Sequence, residues 1–234
     1  MKILWCFALS MDEYLRSSYY ANITHEVAVF AKRISDGAKN KAEIAVKIFN
    51  FIRDLKFGAS PIYRASQVLK HLDKPLICAS KAALQVACYR ALGIPSRFYV
   101  WKVRVSDRTV QKINELLFTN SKRKFRSNLL LYHVAAEVFI ERWVISDATI
   151  DKSLCSVFRI SSWDGKSDVF MDGFDYLEDL GSFKDIPEFV VKLNKGSFLP
   201  FYLRPFRSLI IKSFNKKLNL LFDRLRDISK NIGC

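Results

Sequence analysis

No CxxC pair occurs in the 234 residues, although the chain holds five cysteines, Cys6, Cys78, Cys88, Cys155 and Cys234. Without that spacing a zinc knuckle is excluded, and no other ligand set stands out, so neither a metal nor a cofactor is expected. An odd, scattered set of thiols points to reduced cysteines in a reducing compartment, hence to the cytoplasm. No apolar run approaches the roughly 20 residues that span a bilayer. The N-terminus, MKILWCFALSMDEYL, has its apolar run broken at Ser10 and Asp12 and lacks a clear cleavage pattern. It reads as a first strand or a buried segment rather than a signal peptide. There is no internal repeat and no low-complexity segment, and with half its residues apolar the chain suits one domain, or one domain plus an appendage. Acidic residues are also scarce, 23 against 38 basic ones, for a formal net charge of +15. Such an excess serves solubility, an anionic membrane surface, an acidic partner or nucleic acid. The nucleic-acid reading rests on charge alone and is set aside.

What is present is a succession of helical and strand-like patterns. Residues 26–35 and 41–55 read as helices, the second with Ile44, Ile48, Ile52 and Leu55 on one face and Phe49 and Phe51 widening it. A short helix is expected at 65–71. Another runs from Cys78 to Leu92, rich in alanine, with Gly93 as its C′ residue and Pro95 beyond. RFYVWKVRV (97–105) alternates as a strand does. Residues 106–128 read as a loop or helical excursion, and 132–140 and 143–148 as a hairpin with its turn at Glu141-Arg142. A third strand is expected at 156–160 and a glycine-bearing loop at 164–183. From Arg207 onward the pattern is helical again, with Phe214, Leu218, Leu221, Leu225 and Ile228 on one stripe.

Cys78 stands at the start of its helix. A thiol ordinarily titrates at roughly 8.5 and becomes a good nucleophile at a helix N-terminus, beside an imidazolium, or both. His133 can supply the imidazole and Asp147 can orient it. A turn at 141–142 makes 133 and 150 approximate partners, so register decides whether His133 and Asp147 share a face.

These residues also resemble a known family. Cys78, Arg90 and Gly93-Ile94-Pro95-Ser96-Arg97, with the arginine twelve residues after the cysteine, followed by His133, Glu137, Trp143, Asp147 and Thr149, resemble the transglutaminase-like superfamily of papain-type thiol enzymes. The stretch IFNFIRDLKFG (48–58) is similar to the segment preceding the nucleophile in small prokaryotic members. The resemblance covers roughly residues 41–151 and implies an α+β fold, with the Cys78 helix packed on an antiparallel sheet. It implies Cys78 as nucleophile, His133 as proton shuttle and Asp147 as orienting acid, in acyl transfer on a peptide or protein amide. Two positions depart from the pattern. Leu76 stands where the family keeps glycine, and Ala135 where it keeps tryptophan.

The remaining candidates have plainer readings. Cys88 is a small core residue. His25 and His71 are structural or exposed, Arg90 and Arg97 structural, and Glu137 one half of an ion pair, with an arginine as the natural partner. The basic cluster 122–126 is a solvated loop. The domain is drawn at 1–195. The basic amphipathic extension at 196–234 packs or caps, with an anionic membrane surface as its second reading because Phe198, Phe201, Tyr202 and Phe206 adjoin Arg204 and Arg207. Two functions compete: a thiol-dependent protease, amidase or cross-linking enzyme, and a catalytically silent domain that binds a peptide or a membrane-associated partner, to which Leu76 and Ala135 lend support. Oligomeric state is not legible.

Overall fold

The computed structural model describes residues 11–118, 124–126, 130–160, 162–197 and 199–233. The expected first strand (in its residues 1–10), Cys6, Phe198, Cys234 and, of the basic cluster 122–126, Lys122 and Arg123 lie outside them.

Helix α1 (His25–Ile34) starts at Thr24, whose hydroxyl accepts from the Val27 N–H. Helix α2 (Lys41–Asp54) starts at Asn40, whose side chain accepts from the Glu43 N–H, while the Glu43 carboxylate reaches back to the Lys39 N–H. Such reciprocal capping satisfies donors that the first turn leaves orphaned. Ile48, Phe49 and Ile52 are buried as expected, but Phe51 sits on the open side. Helix α3 (Ala65–Leu69) is short.

Helix α4 (Cys78–Ala91) is the centre of the molecule. Every residue from Cys78 to Arg90 is buried. Helices α1, α2 and α3 pack against it on one side and the sheet on the other. The alanines at 79, 82, 83 and 87 allow that enclosure, since a helix ringed by small side chains can be approached from all sides. Gly93 takes a left-handed φ of 73°, and the N–H groups of Gly93 and Ile94 close the last turn onto Arg90 and Tyr89.

Four antiparallel strands follow, β1 (Ser96–Val105), β2 (Leu131–Phe139), β3 (Trp143–Ser146) and β4 (Phe174–Phe183), in the order β3-β2-β1-β4. The fold is α+β, with α4 laid on the sheet. Two segments differ from the sequence reading. Residues 156–160 form no strand; Leu154, Val157 and Phe158 are buried at helical spacing against Phe222 and Leu225. Residues 174–183, expected as loop, are β4. Its glycine signal comes from Gly181, at φ 80° beside the register shift opposite Val100 and Trp101, and a bulge is where a strand tolerates glycine. Between β1 and β2 lies α5 (Asp107–Leu117), capped by Ser106.

The last elements are α6 (Glu188–Asn194), a 3₁₀ segment Phe201–Phe206 and α7 (Arg207–Asn231). The C-terminal half of α7 packs on the 3₁₀ turn Lys152–Leu154 and on α5, burying Phe222, Leu225, Arg226 and Ser229. Asn219 is bound on both sides to the backbone of Ala59. Gly58 lies beneath it, where any Cβ would collide with the Asn219 side chain and with Pro75.

Cys78 and Cys88 are free thiols, but Cys155 is disulfide-bonded, which corrects the expectation of reduced cysteines throughout. An odd count is as compatible with a bonded pair and a remainder as with none. The composition therefore no longer argues for a reducing compartment.

Candidate active site

Cys78 is the first residue of α4, preceded by Ile77, which offers no capping side chain. The Ser80 N–H is taken by the Ile77 carbonyl, so the N–H groups of Cys78 and Ala79 are those that no cap side chain or helix bond satisfies. Backbone pairing fixes this corner. The Leu76 N–H donates to Lys56 and the Gly58 N–H donates to Leu76. The Leu76 side chain is fully buried in the main core.

His133 and Asp147 come from β2 and from the residue after β3. The pairs Ala136↔Ser146, Glu137↔Ile145 and Phe139↔Trp143 make the connection three residues, Ile140 to Arg142, one more than a turn at 141–142 alone. That single residue sets odd positions opposite odd positions, so His133, Ala135, Glu137, Ile145 and Asp147 share one face. His133 Nε2 lies 2.6 Å from Asp147 Oδ2, and both side chains are shut off from solvent. The Cys78 thiol is near enough to the same imidazole to help raise its titration, and Nδ1 is the ring nitrogen that Asp147 leaves free. The structure thus brings together all three residues singled out in the sequence.

Burial alone would push the His133 imidazole down. The charge and hydrogen bond of Asp147, with a contribution from Cys78, outweigh it and push it up to about 10. Burial likewise opposes ionisation of Asp147, but His133, Thr149 and the Met171 N–H together hold it below the usual carboxylate range. The carboxylate accepts from the Thr149 N–H at 3.1 Å and the Met171 N–H at 2.9 Å, so its orientation is set from three sides.

Polar residues that the sequence reading passed over hold this arrangement. Gln85 Nε2 donates to the Ser146 carbonyl and hydroxyl and to the Tyr89 hydroxyl, tying α4 to the residue before Asp147. Lys81 is buried and places its ammonium against the carbonyls of Arg53, Leu55 and Thr149, at 3.1, 2.9 and 2.7 Å. Burial pushes its titration down to about 7. Both residues carried a signal: with Arg90 they are the long polar side chains of an otherwise apolar, alanine-rich helix, three and seven positions after Cys78. Arg226 of α7 binds Asp151 and the Phe57 carbonyl, and Asp151 also accepts from the Phe57 N–H. Nothing in local spacing links position 226 to 151.

The departure at Ala135 has a structural counterpart. Trp101 lies opposite His133 on β1 and stacks on its ring, with centroids 5.7 Å apart and planes 16° from parallel. Tyr99, opposite Ala135, packs on Trp101 in turn. An aromatic wall beside the histidine is present, supplied by the neighbouring strand, and Tyr176 of β4 and Phe170 close its edge.

The structural readings of other residues can be checked directly. Glu137 pairs with Arg97 and also accepts from the Ser182 hydroxyl. Arg90 donates to the carbonyls of Ser96, Arg16 and Lys184. Among the described residues no cluster of metal-ligating side chains occurs.

A cysteine opening a buried helix against a His–Asp pair on a sheet is the arrangement of a thiol-enzyme fold. The profile of the transglutaminase-like superfamily matches residues 28–148, and the chain belongs to that superfamily. The structure is also similar to that of a protein from Cytophaga hutchinsonii named, provisionally, a cysteine protease. That match has 16% identity and a TM-score of 0.47 and takes in 75% of this chain and 47% of the other, so this chain spans about half of that protein. No curated protein matches the sequence.

Proposed function

We propose that the protein is a thiol-dependent acyl-transfer enzyme acting on an amide or peptide bond. The observation that carries this reading is the buried His133–Asp147 pair within reach of the Cys78 thiol. An imidazolium beside Cys78 stabilises the negative charge of the attacking sulfur, and the start of α4 adds its N–H groups. Cys78 Sγ attacks the carbonyl carbon. The backbone N–H of Cys78 is one donor to the resulting oxyanion. His133 passes its proton to the departing amine, leaving a thioester on Cys78. Water then releases an acid, or a second amine takes the acyl group. Asp147 holds the imidazole by Nε2 throughout, so that the other nitrogen serves the sulfur.

The competing reading, a silent binding domain, draws on the low exposure of the site, where Cys78 is 7% accessible. The two are separated by brief iodoacetamide treatment at about pH 6, where an ordinary thiol is almost wholly protonated, followed by peptide mass mapping. The enzyme reading expects selective labelling of Cys78, abolished in His133→Ala, and a mass adduct on Cys78 after incubation with activated peptide esters. Labelling no faster than that of a free thiol, with no acyl adduct, would leave the silent domain standing.

A further inference from the structure

We propose that the 3₁₀ segment Phe201–Phe206 and the N-terminal half of α7 form a docking surface for an anionic lipid bilayer, independent of whether Cys78 is catalytic. Between Glu188 and Asp223 the sequence contains seven basic residues and no acidic one. The structure turns most of residues 201–217 within it outward. Phe201 is 81% exposed, Tyr202 72%, Phe206 58% and Leu209 68%, and Arg204, Arg207, Lys212, Lys216 and Lys217 are exposed among them. So many large apolar side chains in one short stretch exceed the scattered exposure normal for a folded surface. Arg204 lies over the Phe201 ring, so a cation and an apolar group are presented together.

That mixture fits a membrane interface. Aromatic and aliphatic side chains enter the boundary between headgroups and acyl chains, while lysine and arginine meet lipid phosphates. Leu209 decides against single-stranded nucleic acid as the intended partner, because a base stacks on an aromatic ring and gains little from an aliphatic one. No described helix is long and apolar enough to cross a membrane, and the proposed surface is one that lies on a bilayer. The other half of α7 is anchored by Leu225, Arg226 and Ser229 to the segment that carries Asp151 and Ser156. A docked bilayer would therefore hold the domain in a defined orientation.

The test is flotation of the full chain with vesicles of phosphatidylcholine alone and of phosphatidylcholine containing about a third phosphatidylglycerol. Binding is expected to the anionic vesicles only. Arg204→Gln and Arg207→Gln should each weaken it about fivefold at low salt, the effect of one basic residue near an anionic surface. The pair Phe201→Ser and Leu209→Ser should reduce binding at least about tenfold, and should do so even where salt screens the charges. All four positions are exposed, and circular dichroism verifies that the variants stay folded. Three results would each overturn the proposal: no flotation, equal flotation with neutral vesicles, or self-association that covers these residues. Tighter binding to an RNA oligomer than to anionic vesicles, unchanged by the Phe201/Leu209 variant, would reassign the surface to nucleic acid.

Discussion

Asp147 and Asp151 stand four residues apart on the segment that leaves β3, and each is buried against a base. The base beside Asp147 is an imidazole that can gain and lose a proton, and its second nitrogen is free for Cys78. The base beside Asp151 is a guanidinium that stays charged, and its donors are spent on Asp151, Asp223 and the Phe57 carbonyl. The surroundings are similar in burial but opposite in openness. One pair is left incomplete in a way chemistry can use; the other is saturated and joins α7 to the strand-like corner beneath Cys78. A buried ion pair therefore says little about function until its unspent hydrogen-bonding capacity is counted.

Removing the base from each pair breaks the comparison most sharply. His133→Ala is expected to slow thiol chemistry at Cys78 by about 10²–10⁴-fold, the range for loss of a positioned acid–base group. Arg226→Ala should change the labelling rate less than about tenfold while destabilising the fold by about 3–5 kcal/mol, because Asp151 is left charged and unpaired. Iodoacetamide kinetics and urea denaturation on both variants check this. Equal loss of labelling in the two would mean that the α7 clamp is part of the site.

The pH dependence of stability sharpens it next. The His133 titration is raised in the folded protein to about 10, above the value of roughly 6.5 for a free histidine. A raised base contributes stability that is fully present below the unfolded value and is lost as pH rises through the folded one. Lys81, pushed down to about 7, works in the opposite sense: the unfolded chain binds the extra proton, so stability rises between about 7 and 10. The two contributions oppose each other in the same window, and the wild-type profile there should be nearly flat. Comparing wild type with His133→Gln isolates the first. The stability gap should narrow as pH rises from about 6.5 to 10, and a gap constant with pH would show that His133 is not charged in the fold. No such narrowing is expected for Arg226→Ala.

The open pair was legible in the sequence and the saturated pair was not, for a physical reason. Cys78, His133 and Asp147 sit in spaced motifs on regular elements, where helix starts and strand alternation can be read locally. Their shared face still hinged on one residue of the turn, which no periodicity fixes. Arg226 and Asp151 meet only because α7 folds back across the molecule, 75 residues away in sequence. The stripe read on α7 illustrates this: Leu225 is buried as expected, but Phe214 is half exposed, because the residues that the helix buries, Phe222, Leu225, Arg226 and Ser229, all lie in its C-terminal half. β4 was hidden by its bulge, and its loss from the reading also hid Tyr176 beside His133.

The smallest expected effect concerns what surrounds the open pair. Ala135 leaves the space that Tyr99 and Trp101 occupy across the His133 face. Restoring a large ring there, as Ala135→Trp, should destabilise the protein by about 1–3 kcal/mol through overpacking. Trp101→Ala alone should also destabilise, since it removes a stacked ring from a buried face. If the two positions supply one aromatic wall between them, the double variant should be less destabilised than the sum of the singles, and a double-mutant cycle in urea reads that coupling. Additive losses would mean that Trp101 and position 135 are independent. Ala135 would then be a simple loss of the family's tryptophan, with no replacement from the adjacent strand.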